Sequence, residues 1–195
     1  MKKRKVSLPA ALGMCLILCS LCFTVGFQIL IHTGTRESQM VVSQINELLP
    51  ERTQGTPGIY QNTHMPVLEI NRTDYIGILE IPVFGITLPV TDKWDSKKLY
   101  SAPSRFCGSV YDHTLVVGGS DYPQQFAFCD KIENGTLVMV TDMTGARFTY
   151  TVSCVDRAKH AEAKWLLDTD YDLVLFCRDA YSLDYIAVRC VLSYG

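Results

Sequence analysis

The sequence predicts a mainly β domain carried behind one N-terminal transmembrane helix. Three features predict it: a long uncharged apolar run directly after a basic N-terminus, a Pro/Gly/Thr-rich stretch beyond it, and then a succession of short apolar runs separated by turn residues.

The chain of 195 residues opens Met1-Lys2-Lys3-Arg4-Lys5 and carries no charge again until Arg36. Residues 8–31, LPAALGMCLILCSLCFTVGFQILI, would span roughly 36 Å as a helix, enough to cross a hydrocarbon core of about 30 Å. The run is longer than the apolar core of a signal peptide, and no small-x-small cleavage pattern follows it. Pro9 stands near its start, where a helix tolerates proline best. Basic residues precede the run and acidic ones begin only at Glu37, so the positive-inside rule orients the N-terminus to the cytoplasm. The expected protein is single-pass in the cell membrane, with its C-terminal domain outside the cell. Its expected parts are a cytoplasmic tail (1–7), a signal anchor (8–31), a juxtamembrane helix and linker (32–73) and a β domain (74–195).

Beyond the anchor 14 basic residues face 20 acidic ones, a balance of −6 that argues against a nucleic-acid-binding surface. Cys15, Cys19 and Cys22 lie in the apolar run as small hydrophobes or acylation sites. The outer cysteines are Cys107, Cys129, Cys154, Cys177 and Cys190; their spacings fit no zinc pattern, and their odd number leaves a free thiol if the others pair within the chain. No metal or cofactor is implied.

After the anchor, residues 38–49 (SQMVVSQINELL) have a helix-compatible spacing of apolar residues, closed by Pro50. Residues 50–66 read as a linker or loosely packed arm. Seven strands are then expected in YIGILEIPV (75–83), ITLPV (86–90), TLVVGG (114–119), GTLVMVTD (135–142), ARFTYTVSCV (146–155), DLVLFC (172–177) and YIAVRCVL (185–192). Asp142-Met-Thr-Gly145 reads as a hairpin turn, and residues 96–100 and 161–167 as short helices. About seven strands with long connections suggest a closed or nearly closed β-barrel.

The order of these segments resembles the sortases, membrane-anchored cysteine transpeptidases of Gram-positive bacteria with an eight-stranded β-barrel. The resemblance spans about residues 74–192. Asp74-Tyr-Ile-Gly-Ile-Leu-Glu-Ile-Pro82 resembles the family's first strand, and Gly85-Ile-Thr-Leu-Pro89-Val its second. Asp112-His-Thr-Leu-Val-Val-Gly-Gly-Ser-Asp-Tyr122, with Phe126, resembles the strand and turn that present a catalytic histidine. Asp172-Leu-Val-Leu-Phe-Cys177 resembles the strand that ends in the nucleophile, and Tyr185-Ile-Ala-Val-Arg-Cys190 the strand that begins with the catalytic arginine. The resemblance implies a cell-surface enzyme that attacks a sorting-signal peptide of secreted surface proteins or pilins. Its cysteine would form a thioacyl intermediate, which an amine acceptor on the cell wall or a pilin would resolve.

Aligned this way, Cys177 fills the nucleophile position, but Ser120 stands at the histidine position and Tyr185 at the arginine position, with Phe176 where a threonine commonly precedes the nucleophile. His113, seven residues before Ser120, should lie at the far end of its strand, whereas His160 sits in a connection that could swing toward the site. Arg178 is the nearest surrogate for the arginine, although strand alternation should point it away from Cys177. An unassisted thiol is only about 3% thiolate at neutral pH, still enough for covalent labelling. Losing general acid–base help costs on the order of 10²–10⁴ in rate, and losing an oxyanion donor roughly another 10²–10³. Cys177 also has a plain reading as a buried core cysteine, Ser120 as a turn serine and Tyr185 as a strand tyrosine. Two functions therefore stand side by side, with a structural β-domain that has no peptide groove as a third reading. One is a transpeptidase of impaired activity. The other is a pseudoenzyme that binds a sorting signal, a pilin or an active sortase.

Overall fold

The computed structural model describes residues 8–55, 64–159, 163–167 and 170–193. The chain begins with α1 (Leu8–Leu48), one unbroken helix of 41 residues. At 1.5 Å per residue it is about 60 Å long. It joins the apolar run to the amphipathic stretch read as a separate juxtamembrane helix and ends two residues before Pro50. Its apolar part is long enough to cross a membrane and none of that part is buried. The C-terminal turns differ: Val41, Val42 and Ile45 are buried against Ile70, Tyr75 and Ile78, flanked by Leu49, Leu68 and Met143. Gly34 lets the helix come close to the domain, because a Cβ there would lie 2.7 Å from the Tyr100 carbonyl oxygen.

Among the described residues ten strands, a 3-10 turn (Pro82–Phe84) and one α-helical turn follow: β1 (Thr53–Gln54), β2 (Leu68–Ile70), β3 (Thr73–Ile81), β4 (Ile86–Thr91), β5 (Ser104–Cys107), β6 (Leu115–Gly118), β7 (Leu137–Asp142), β8 (Ala146–Ala158), α2 (Ala163–Leu166), β9 (Leu173–Arg178) and β10 (Tyr185–Leu192). Pairing runs β3–β4–β5–β6–β9–β10–β8, and β7 joins β8 back to β3. The result is a closed eight-stranded barrel. β1 pairs in parallel with β8 and β2 antiparallel with β3, outside the ring.

The seven expected strands are β3, β4 and β6–β10. The hairpin at Asp142–Gly145 forms as read, with Gly145 at φ 85 donating its N–H to the Asp142 carbonyl at 3.1 Å. Asp142 is fully buried, and one carboxylate oxygen accepts from Thr144 N, Thr144 Oγ1 and Ala146 N while the other accepts from Tyr111 Oη at 2.5 Å. Residues 96–100 are not a helix but successive turns. Asp95 captures Lys97 N through its side chain and Lys98 N through its carbonyl, which spends the local donors on a turn. Of the second expected helix the turn Ala163–Leu166 is helical and Leu167 is not; residues 160–162 lie outside the described residues. Within the stretch read as a linker, β1 pairs with β8 and Met65 is buried in the barrel. Residues 56–63 are outside the described residues.

Strand alternation sends Leu115, Val117, Leu173, Leu175 and Val188 into the barrel interior with Phe126 and Phe148. The intervening residues Val116, Val174, Phe176 and Ala187 point out. There they are covered in turn by Phe106, Trp165, Tyr171 and Tyr185. β9 is therefore apolar on both faces, which is why its sequence shows an unbroken apolar run instead of alternation.

Candidate functional site

The site positions lie at one end of the barrel, where β6 and β9 run parallel and terminate together. Val117 is level with Leu175 and Gly118 with Phe176, and Gly119 N donates to the Phe176 carbonyl at 2.9 Å. Alternation along this stretch is legible from its glycines. A Cβ on Gly118 would strike the rings of Trp94 and Phe176 outside, and one on Gly119 would strike Phe126 inside. Ser120 follows on the outer side, half-buried, and its Oγ donates to the Leu99 carbonyl at 2.9 Å. Trp94 lies flat on Phe176 with ring centroids 5.6 Å apart and meets Phe106 edge-on at 5.3 Å.

Cys177 faces the other way. It is 1% exposed, belongs to the interior cluster, and its thiol donates to the Phe126 carbonyl at 3.7 Å. That carbonyl also accepts Cys129 N at 2.9 Å. Burial and contact with the Cys177 thiol push the Cys129 thiol well above the ordinary cysteine range. Burial raises Cys190 in the same way. Among the described residues the interior holds Cys129, Cys177 and Cys190 packed among apolar side chains.

Tyr185 is paired with Arg178 across β9 and β10, and Ile186 with Cys177. Directly paired residues share a face. Tyr185 and Arg178 therefore stand together on the outer face, with the guanidinium 5.9 Å from the ring centroid, while Cys177 and Ile186 point inward. Arg178 is exposed and its Nε donates to the Leu183 carbonyl at 3.2 Å. The structure brings Ser120, Arg178 and Tyr185 to the outer side of one barrel end and does not bring Cys177 to them.

His113, at φ 60, holds Asp172 at 2.7 Å beside the start of β9, at the opposite end from Ser120. His64 lines a cavity of about 370 Å³ with Asp92, Trp94, Arg105, Cys107 and Asp112. His160 lies outside the described residues. Arg189 is buried between the rings of Trp165 and Tyr171, 5.3 and 5.2 Å from their centroids, and pairs with Asp156 at 2.5 Å. Trp94 is the feature the sequence reading missed. It borders the 370 Å³ cavity and a second of about 320 Å³ lined by Arg72, Asp74, Lys93 and Lys98. Its only sequence signal is that a half-exposed tryptophan, one of two in the chain, sits in a polar connection.

Among solved structures, sortase C1 from Streptococcus agalactiae superposes with a TM-score of 0.56 at 19% identity, over 65% of this chain and 72% of that one. The fold is that of the sortases. Sortase A from Corynebacterium diphtheriae, a lid mutant, gives 0.54 at 17% identity, over 63% of this chain and 72% of the other. Clostridium perfringens sortase C, solved with the C-terminal cell wall sorting motif, gives 0.52 at 19% identity, over 73% and 79%. No family model matches the sequence, and no curated protein matches it. The sortase barrel is thus present on a chain no more than 19% identical to these three structures, and its outer face at the site end carries serine, arginine and tyrosine.

Proposed function

We propose that this is a membrane-anchored, cell-surface protein of sortase fold that binds a sorting-signal peptide without cleaving it. The observation that carries the reading is the direction of the Cys177 sulfur, which points into the barrel, away from the outer face that holds Ser120, Arg178 and Tyr185. Cysteine, histidine and arginine can act on one peptide bond only from a common face. On that face the residue at the end of β9 is Arg178, so the position that corresponds to a nucleophile is held by a guanidinium. Serine, arginine and tyrosine offer hydrogen-bond donors and a positive charge to a peptide backbone or carboxylate. They offer no nucleophile activated by a neighbouring base. The sorting motif in the Clostridium perfringens sortase C structure supports a peptide of that class as the ligand.

The test is incubation of the full chain, in detergent or nanodiscs, with sorting-signal peptides and an amine acceptor. Saturable binding without release of the peptide's C-terminal fragment is expected, and Arg178→Ala should weaken it about tenfold, the loss of one charge-assisted hydrogen bond. Fragment release that disappears in Cys177→Ala would restore the transpeptidase reading. No binding of any such peptide would remove the proposed ligand.

A further inference from the structure

We propose that the barrel end carrying Ser120, Arg178 and Tyr185 faces the membrane, with the β6–β7 and β9–β10 connections resting in the interfacial layer of the bilayer. This rests on reading α1 as a membrane span.

The contacts of α1 set the orientation. Phe27 meets Tyr122, just beyond Ser120, edge-on with centroids 6.0 Å apart. Gly34 lies against Tyr100, Ile45 packs among Tyr75 and Ile78, and Leu49 and Met143 of the β7–β8 hairpin flank the same cluster. A Cβ on Gly145 of that hairpin would lie 3.1 Å from the Pro50 carbonyl oxygen. From Phe27 to Pro50 the chain therefore passes from the site end of the barrel to the opposite end, a rise of about 35 Å. Only the site end is level with the apolar run. Phe27 lies inside that run, about 6 Å short of Ile31, so Tyr122 is drawn to the depth where headgroups meet acyl chains. The buried contacts of Val41, Val42 and Ile45 hold the helix in this alignment.

The rim at that end is dressed for such a place. In the β9–β10 connection Tyr181 is 97% exposed and Leu183 53% exposed, and Val83 is 71% exposed in the turn that leaves β3 at the same end. Tyr181 and Leu183 are presented by a hydrogen-bonded loop. Ala180 N donates to Asp121 Oδ2 at 2.9 Å, which ties the β9–β10 connection to the β6–β7 connection. The Asp179 carboxylate turns back to accept Tyr181 N at 2.7 Å and Ser182 N at 2.9 Å and pairs with Arg157, leaving the tyrosine outermost. Rigid exposure of tyrosine and leucine to water is unfavourable, whereas an amphipathic ring and an apolar side chain suit the bilayer interface. Exposed Arg178 beside them suits anionic headgroups. A ligand reaching Arg178 and Tyr185 then arrives along the bilayer surface, as a polypeptide still tethered to the membrane would.

The test uses the full chain in vesicles of phosphatidylcholine and phosphatidylglycerol, with Tyr181→Trp near the membrane and Glu69→Trp on β2 at the opposite end. Emission is compared with that of the unsubstituted chain, and the lipid is brominated near the headgroup. The added Tyr181→Trp emission should fall about twofold on bromination and that of Glu69→Trp should not change. If the chain floats with the vesicles but Tyr181→Trp is quenched no more than Glu69→Trp, the orientation is wrong and the anchor stands. If the chain does not float, the anchor reading falls and this proposal with it.

Discussion

Replacing Cys177 by alanine should cost stability and leave peptide binding intact. The sulfur is 1% exposed and packed in the barrel interior with Leu175, Ile186 and Phe126. Deleting it removes about one methylene equivalent, ~0.8 kcal/mol of transfer free energy. A residual cavity of roughly 25 Å³ adds ~0.6 kcal/mol. The 3.7 Å contact to the Phe126 carbonyl is long for a hydrogen bond and adds little. The sum is about 1.5 kcal/mol, a drop in Tm of about 3–6 °C, measurable by near-UV circular dichroism of the full chain. A companion measurement reads access directly. With iodoacetamide and peptide mass mapping, Cys177 should react only through local opening; an opening free energy of about 3 kcal/mol slows it roughly 10²-fold against the urea-unfolded chain. An Arg178→Cys thiol, exposed at the next position, should label at the rate of a free cysteine. A native Cys177 that labels as fast as Arg178→Cys, or a Cys177→Ala chain of unchanged stability, would refute the interior assignment.

Asp142→Ala should destabilise the barrel by about 3–4 kcal/mol, since it strands Tyr111 Oη and the Thr144 and Ala146 amides; chemical unfolding measures this, and Asp142→Asn should lose less. Ile45→Ala, at a fully buried position, should weaken the docking of α1 on β3 by about 3 kcal/mol and accelerate amide exchange in the last turns of the helix. The β9–β10 connection should loosen in acid. Hydrogen bonds from the Ser182 and Tyr181 amides, with Arg157 adding to them, hold the Asp179 carboxyl below the ordinary carboxylate range. The stabilisation is complete above the unfolded value, near pH 4, and is lost as pH falls through the lowered folded value. Amide exchange at Tyr181 and Ser182 should report this, and Asp179→Asn should remove the pH dependence.

Legibility of the sequence followed local physics. The seven expected strands carry enough apolar, β-branched and aromatic residues between turn signals to be read singly, and the Asp142–Gly145 turn carries its own chemistry. β5 was not readable because Ser-Arg-Phe-Cys is short and mixed, and it becomes a strand only through its pairing with β6 and a single level with β4. β1 and β2 are two and three residues long and exist only as partners of β8 and β3. At residues 96–100 a helix-like composition lost to Asp95, whose side chain and carbonyl take the donors a helix would use.

The sequence by itself determined the apolar run and the order of the seven expected strands, because these depend on composition, spacing and order along the chain. Only the tertiary structure decided which way Cys177 points. In Leu-Val-Leu-Phe-Cys both faces of the strand are apolar, so periodicity holds no record of inside and outside. Barrel closure and the register of β9 with β6 and β10 settle it, and with a period of two, one residue separates an interior thiol from an exposed guanidinium.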